Sequence, residues 1–95
     1  MAGQPLMDIE FDPAKDDVNR AKHGVSLSGA LRLDWSSVVA GPDVRGDYGE
    51  PRMIGYGLIA DRLYCVVFVP RANKCRVISL RKANRREVTR YAKNQ

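Results

Sequence analysis

Apolar residues change their spacing several times along the chain. Asp8–Phe11 alternates, with Ile9 and Phe11 on one face, and predicts a short strand. Asp12-Pro13 then opens a helix, since Asp caps well and Pro is tolerated at the first helical position. Ala14, Val18 and Ala21 form a thin apolar stripe at helical spacing. Lys22-His23-Gly24 closes this helix with cations in the last turn and a glycine at the left-handed cap position. A second short helix is expected from Ser26 or Ser28 to about Asp34, with Leu27, Ala30 and Leu31 inward. Residues 36–51 carry Gly41-Pro42-Asp43, Gly46-Asp47 and Gly49-Glu50-Pro51. They read as irregular with a short strand at Val38–Ala40, and loops of this length in a small domain are often functional. Strand runs follow at Arg52–Ile59, Leu63–Val69 and Lys74–Lys82, with turns at Asp61-Arg62 and Ala72-Asn73, so an antiparallel meander is the economical topology. Asn84 caps a last helix, Arg85–Ala92, that turns Val88, Tyr91 and Ala92 inward. The expected architecture is α+β: a small, mostly antiparallel sheet of three to five strands, two N-terminal helices and one C-terminal helix.

A two-residue turn at Ala72-Asn73 sets Arg71 opposite Lys74. Continued regularly, this register pairs Val69 with Arg76, Val67 with Ile78 and Cys65 with Leu80. Tyr64, Val66, Phe68, Val77, Ser79 and Arg81 then share the other face. Cys65 and Cys75 point to opposite faces, so no disulfide joins them in this register.

Ninety-five residues make one domain, expected over residues 7–95 after a loose leader at 1–6. So small a core leaves no room for a large buried cofactor, and none is expected. The longest apolar run, Leu63–Pro70, is too short to span a membrane, and the N-terminus lacks a secretory pattern. The expected location is the cytoplasm, with no membrane partner. One histidine and two cysteines without C-x-x-C spacing do not make a zinc site, so no metal is expected.

Charge changes the picture more. The chain carries sixteen Lys and Arg against eleven Asp and Glu. Residues 1–48 hold five basic and eight acidic side chains; residues 49–95 hold eleven basic and three acidic. In the second half Arg outnumbers Lys eight to three, and Arg suits bidentate phosphate contacts. The gradient points to a polyanion, most simply nucleic acid; a solvated basic face is the plainer reading.

Cleavage of RNA to a 2′,3′-cyclic phosphate needs a base for the 2′-hydroxyl, an acid for the leaving 5′-oxygen and positive charge on the phosphorane. A two-histidine solution is excluded, because His23 is alone. The carboxylates in or next to the basic half that offer a base are Glu50 and Glu87. His23 reads either as a cation favouring its helix end or as a phosphate contact or proton carrier. Glu50 reads as catalytic or as a partner of Arg52 or Arg81. Glu87 and Arg90, three apart on the last helix, read as a surface pair. Arg76 and Arg81, flanked by apolar strand residues, must each reach a carboxylate, the sheet rim or a ligand. No G-x-S-x-G elbow or phosphate-binding P-loop is present, and Gly55-Tyr56-Gly57 reads as close strand packing.

Phe11-Asp12-Pro13-x-Lys15, Asn19 and Lys22-His23-Gly24-Val25-Ser26 resemble the start of BrnT-type toxins. So do Gly49-Glu50-x-Arg52, Ile54-Gly55, Val66-Val67, Arg71, Arg76-Val77-Ile78-Ser79-x-Arg81-x-Ala83, Glu87 and Tyr91. The resemblance covers residues 7–93. It implies a RelE-like fold and a ribonuclease of a bacterial type II toxin–antitoxin pair that inhibits translation. It also implies a BrnA-like antitoxin with a ribbon-helix-helix part, and a complex that binds its own promoter DNA through that antitoxin. On this reading Lys22, Arg52 and Ser79 bind the RNA, Arg71, Arg76 and Arg81 stabilise the phosphorane, and Glu50 or His23 does the acid–base work. The alternative is a non-catalytic module that binds nucleic acid or a partner protein.

Overall fold

The computed structural model describes residues 8–94, so the expected leader at residues 1–6 lies outside the described residues. The elements are β1 (Asp8–Glu10), α1 (Pro13–His23), a 3₁₀ turn (Leu27–Leu31), β2 (Asp34–Pro42), β3 (Met53–Ile59), β4 (Arg62–Arg71), β5 (Lys74–Lys82) and α2 (Arg85–Lys93). Five strands form one sheet in the order β1-β5-β4-β3-β2. The meander β2-β3-β4-β5 is antiparallel as expected, but β1 lies parallel to β5, so the sheet is mixed.

α1 follows its sequence signals. The Asp12 side chain accepts the Ala14 N–H at 2.9 Å, and Gly24 takes the left-handed conformation at φ 72°. The expected second helix is instead a single 3₁₀ stretch of five residues. It is held at its start by Asp16, whose carboxylate accepts from the Leu27 N–H at 2.7 Å and the Ser26 hydroxyl at 3.0 Å. Gly29 within it sits against Leu80, where a Cβ would approach Leu80 Cδ2 to 2.9 Å. Among the described residues two α-helices, not three, therefore flank the sheet.

The second correction is β2. Residues 34–42 are one strand, longer than the expected Val38–Ala40, with an irregular register between Asp34 and Val39. Gly55 and Gly57 of β3 admit it: a Cβ at either would meet the Val38 side chain at 2.8 and 2.6 Å. The Gly-Tyr-Gly run is close strand packing. The β3–β4 turn lies one residue earlier than expected, at Ala60-Asp61, while Arg71 does face Lys74 across the second turn.

The third correction matters most for function. The β4–β5 register holds from Arg71↔Lys74 to Phe68↔Val77 and then slips, leaving Ile78 as an extra residue; beyond it Val67 faces Ser79 and Cys65 faces Arg81. A bulge of one residue transposes every later side chain to the other face. Cys75, Val77 and Leu80 thereby all join Val66, Phe68, Leu27, Ala30 and Leu33 in the core, with Trp35 edge-on to Phe68 at 5.3 Å. Ser79 and Arg81 are moved onto the face of Cys65 and Val67. The two cysteines remain free and on opposite faces.

β1 covers only Lys74–Arg76 of β5, so the edge beyond needs another partner. Asn19 of α1, which is buried, supplies it: its carboxamide donates to the Leu80 and Val25 carbonyls at 2.8 Å and accepts from the Leu80 N–H at 3.2 Å. Asn19→Leu would leave the buried Leu80 amide and carbonyl unpaired and should destabilise the fold by about 2–4 kcal/mol. Val18→Ala, one residue away but exposed, should change it by less than about 0.5 kcal/mol. Urea unfolding of the two variants measures this, and an unchanged midpoint for Asn19→Leu would remove the residue from that role.

Candidate active site

A polar cleft of about 250 Å³ opens on the sheet face opposite the main core. The end of α1 contributes Lys22 and His23, β4 Cys65 and Val67, and β5 Ile78, Ser79 and Arg81. Asp43, Arg45, Tyr48 and Arg52, from the segment between β2 and β3, close it. Two features of the fold bring α1 and β5 to this place. Asn19 ties the last turn of α1 to Leu80, and the bulge at Ile78 turns Ser79 and Arg81 toward it.

Two carboxylates organise the cations. Asp43, with its side chain buried, binds Arg45 bidentately at 2.7 Å through Nε and Nη2, and this pairing pulls its carboxyl down to about 2. Glu87 of α2 binds Arg81 through two hydrogen bonds of 2.8 Å. The same carboxylate accepts the Asn84 N–H at 2.9 Å while the Asn84 side chain caps the Glu87 N–H at 2.8 Å. The Tyr56 hydroxyl donates to it at 3.2 Å. Arg81 is the main reason that Glu87 falls to about 2, and the pairing raises the Arg81 guanidinium in turn. Burial, then Cys65 and Glu87, push Tyr56 up to about 12.

The remaining cations are free of carboxylates among the described residues. Arg52 lies over the Tyr48 ring at 4.0 Å, and its buried Nε has no hydrogen-bond partner there. Partial burial, then the charges of Lys22 and Arg81, hold the His23 imidazole below the ordinary histidine value. His23 therefore gives up its proton more readily than a free histidine, in a cationic cleft suited to an oxyanion such as a phosphodiester.

Of the residues singled out in the sequence, the cleft brings together Lys22, His23, Arg52, Ser79 and Arg81. Glu50 and Arg71 are not among its walls; they pair with each other at 2.9 Å. Arg76 lies beside Glu10, with Nε 3.4 Å from its carboxylate. Glu87 pairs with Arg81 and not with Arg90. Sequence reasoning missed Asp43, Arg45 and Tyr48. The available signal was the Asp-x-Arg spacing just after Gly41-Pro42, inside the long loop.

Residues 11–87 match the model of a family described as ribonuclease toxin, BrnT, of type II toxin-antitoxin system. That span includes every residue of the cleft. No curated protein matches the chain.

Because Glu87 keeps its charge more readily in the folded than in the unfolded chain, its contribution to stability is complete above about pH 4.5. It disappears as the pH falls toward about 2. Glu87→Gln should therefore cost about 1–3 kcal/mol at pH 7 and far less near pH 2. Denaturant unfolding of both proteins across that range checks it; a constant difference at all pH values would contradict the assignment.

Proposed function

Since the chain belongs to the BrnT family of ribonuclease toxins of type II toxin–antitoxin systems, we propose that its cleft cuts RNA without a metal ion. The observation that carries this reading is that His23 lines one cleft with Lys22, Arg45, Arg52 and Arg81, whose walls lower the proton affinity of its imidazole. Neutral His23 takes the proton of a ribose 2′-hydroxyl. The 2′-oxygen attacks the adjacent phosphorus, and the bond to the 5′-oxygen breaks as solvent protonates the leaving oxygen. The products are a 2′,3′-cyclic phosphate and a free 5′-hydroxyl. Arg81 and Arg45, aimed by Glu87 and Asp43, stabilise the charge that builds on the phosphorane. Arg52, Lys22 and Ser79 hold the RNA backbone. Both nearby carboxylates already bind arginines, so the cleft walls stay cationic and favour the phosphate over a divalent cation.

Glu50, Arg71 and Arg76 lie outside the cleft walls in carboxylate–arginine contacts, and this mechanism gives them no step. The wider reading rests on family membership: a RelE-like toxin domain over residues 7–95 that works in the cytoplasm by stopping translation. Its partner is a BrnA-like ribbon-helix-helix antitoxin, and the complex reads promoter DNA through that antitoxin. No helix among the described residues is long and apolar enough to cross a membrane.

The purified chain should cleave RNA in EDTA and leave cyclic phosphate ends. His23→Ala should slow cleavage at least 100-fold and Arg81→Ala at least tenfold, both remaining folded. The acidic limb of the pH–rate profile should have its midpoint below 6.5, because a lowered His23 stays an effective base into mild acid. RNA binding with no cleavage, or full activity in folded His23→Ala, would refute the mechanism; the first result would favour a non-catalytic binding module.

A further inference from the structure

A second concavity, of about 390 Å³, runs along α1 beside the cleft. The two share Lys22, His23, Ile78 and Ser79, so the groove opens directly into the cationic site. Its size falls within the range of about 300–1,000 Å³ common for small-molecule sites. Its floor and wall are apolar: Ala14 and Val18 of α1, and Ile78, which the β5 bulge leaves half-buried. Val18 is 64% exposed although it belongs to the apolar stripe of α1. Asn19 also lines the groove, but both its amide hydrogens are engaged by Val25 and Leu80.

Charge sets the ends. Lys22 stands where groove meets cleft, and Lys15 lies two helical turns back on the same face, about 10 Å along the axis. Beyond it the Asp12 carboxylate closes the groove and would repel a further phosphate. The space between accepts one flat, largely apolar group with an anion at its cleft end and room for another near Lys15.

We propose that this groove is a subsite for the single nucleotide flanking the phosphodiester held in the cleft, gripping its base by apolar contact with Val18 and Ile78 and its far phosphate through Lys15. The proposal rests on the reading of the cleft as an RNA site. An RNA strand with one phosphate against His23 and Arg81 must place a neighbouring nucleoside somewhere, and the groove is continuous with that point. With the Asn19 amide hydrogens engaged internally, recognition there works by covered apolar surface and phosphate contact.

The test is a backbone and methyl NMR titration of the whole chain with two probes. One is inorganic phosphate. The other is the 2′-deoxy dinucleotide ApAp, which lacks the attacking hydroxyl. Phosphate should shift resonances of cleft residues, His23, Ser79 and Arg81 among them, and leave Lys15 and the Val18 methyls unmoved; ApAp should shift both sets. Val18→Gln, at an exposed position, should lower the ratio of ApAp to phosphate affinity at least fivefold. If ApAp moves only cleft resonances, or the ratio changes less than twofold, the subsite is overturned while the cleft reading stands. If neither probe moves His23, Ser79 or Arg81, the cleft reading falls and takes the subsite with it.

Discussion

The arrangement of this molecule depends on one carboxamide. β5 is an inner strand along Lys74–Arg76, where β1 pairs with it, and an uncovered edge further on. A strand edge needs donors and acceptors, and Asn19 presents both in the spacing of a peptide group. No aliphatic side chain could do this from a helix. The consequence is positional. α1 is fixed to β5 near its own C-terminus, so Lys22 and His23, one turn later, stand beside Ser79 and Arg81. A helix that buries so little apolar surface would otherwise have weak reason to adopt one orientation.

The cleft is built on a second principle, the division of its cations into held and free. Asp43 and Glu87 each bind one arginine bidentately, which fixes the direction of the guanidinium as well as its position. Lys22 and Arg52 have no such partner among the described residues, and Arg52 rests on Tyr48. Glu87 also belongs to the capping box of α2. The start of that helix and the aim of Arg81 are therefore one structural event. α2 buries none of its described residues. Glu87 and the hydrogen bond from the Tyr91 hydroxyl to the Ser37 carbonyl, at 2.6 Å, hold it to the sheet.

Much of this was legible in the residues. The caps of both helices, the three long strands and the Ala72-Asn73 turn were readable because their signals are local. Asp12, Gly24 and Asn84 act on groups two to four residues away. The family motifs pointed to Lys22, His23, Arg52, Ser79 and Arg81, which line the cleft, and equally to Glu50, Arg71 and Arg76, which do not. The bulge escaped because regular alternation is the default extension of a hairpin. Both faces of β5 carry apolar residues, so the sequence shows no break in phase, and only the core's demand for both Val77 and Leu80 places one. The parallel pairing of β1 escaped because three residues carry no sign of their partner. Arg45 escaped because its place in the cleft depends on its pairing with a buried Asp43, and burial in a Gly- and Pro-rich loop is set by the sheet beneath it.

The partnership of β1 with β5 also bears on when the protein becomes itself. Asp8 lies against Lys74, and Asn19 reaches Leu80 across 61 positions. Contacts of such sequence separation form late and slow the search for the native state. A nascent chain leaving the ribosome can close the β3–β4 hairpin early, but His23 has no Ser79 to meet until β5 has emerged behind that hairpin. The cleft therefore cannot assemble before β5 is made, and synthesis itself delays its appearance.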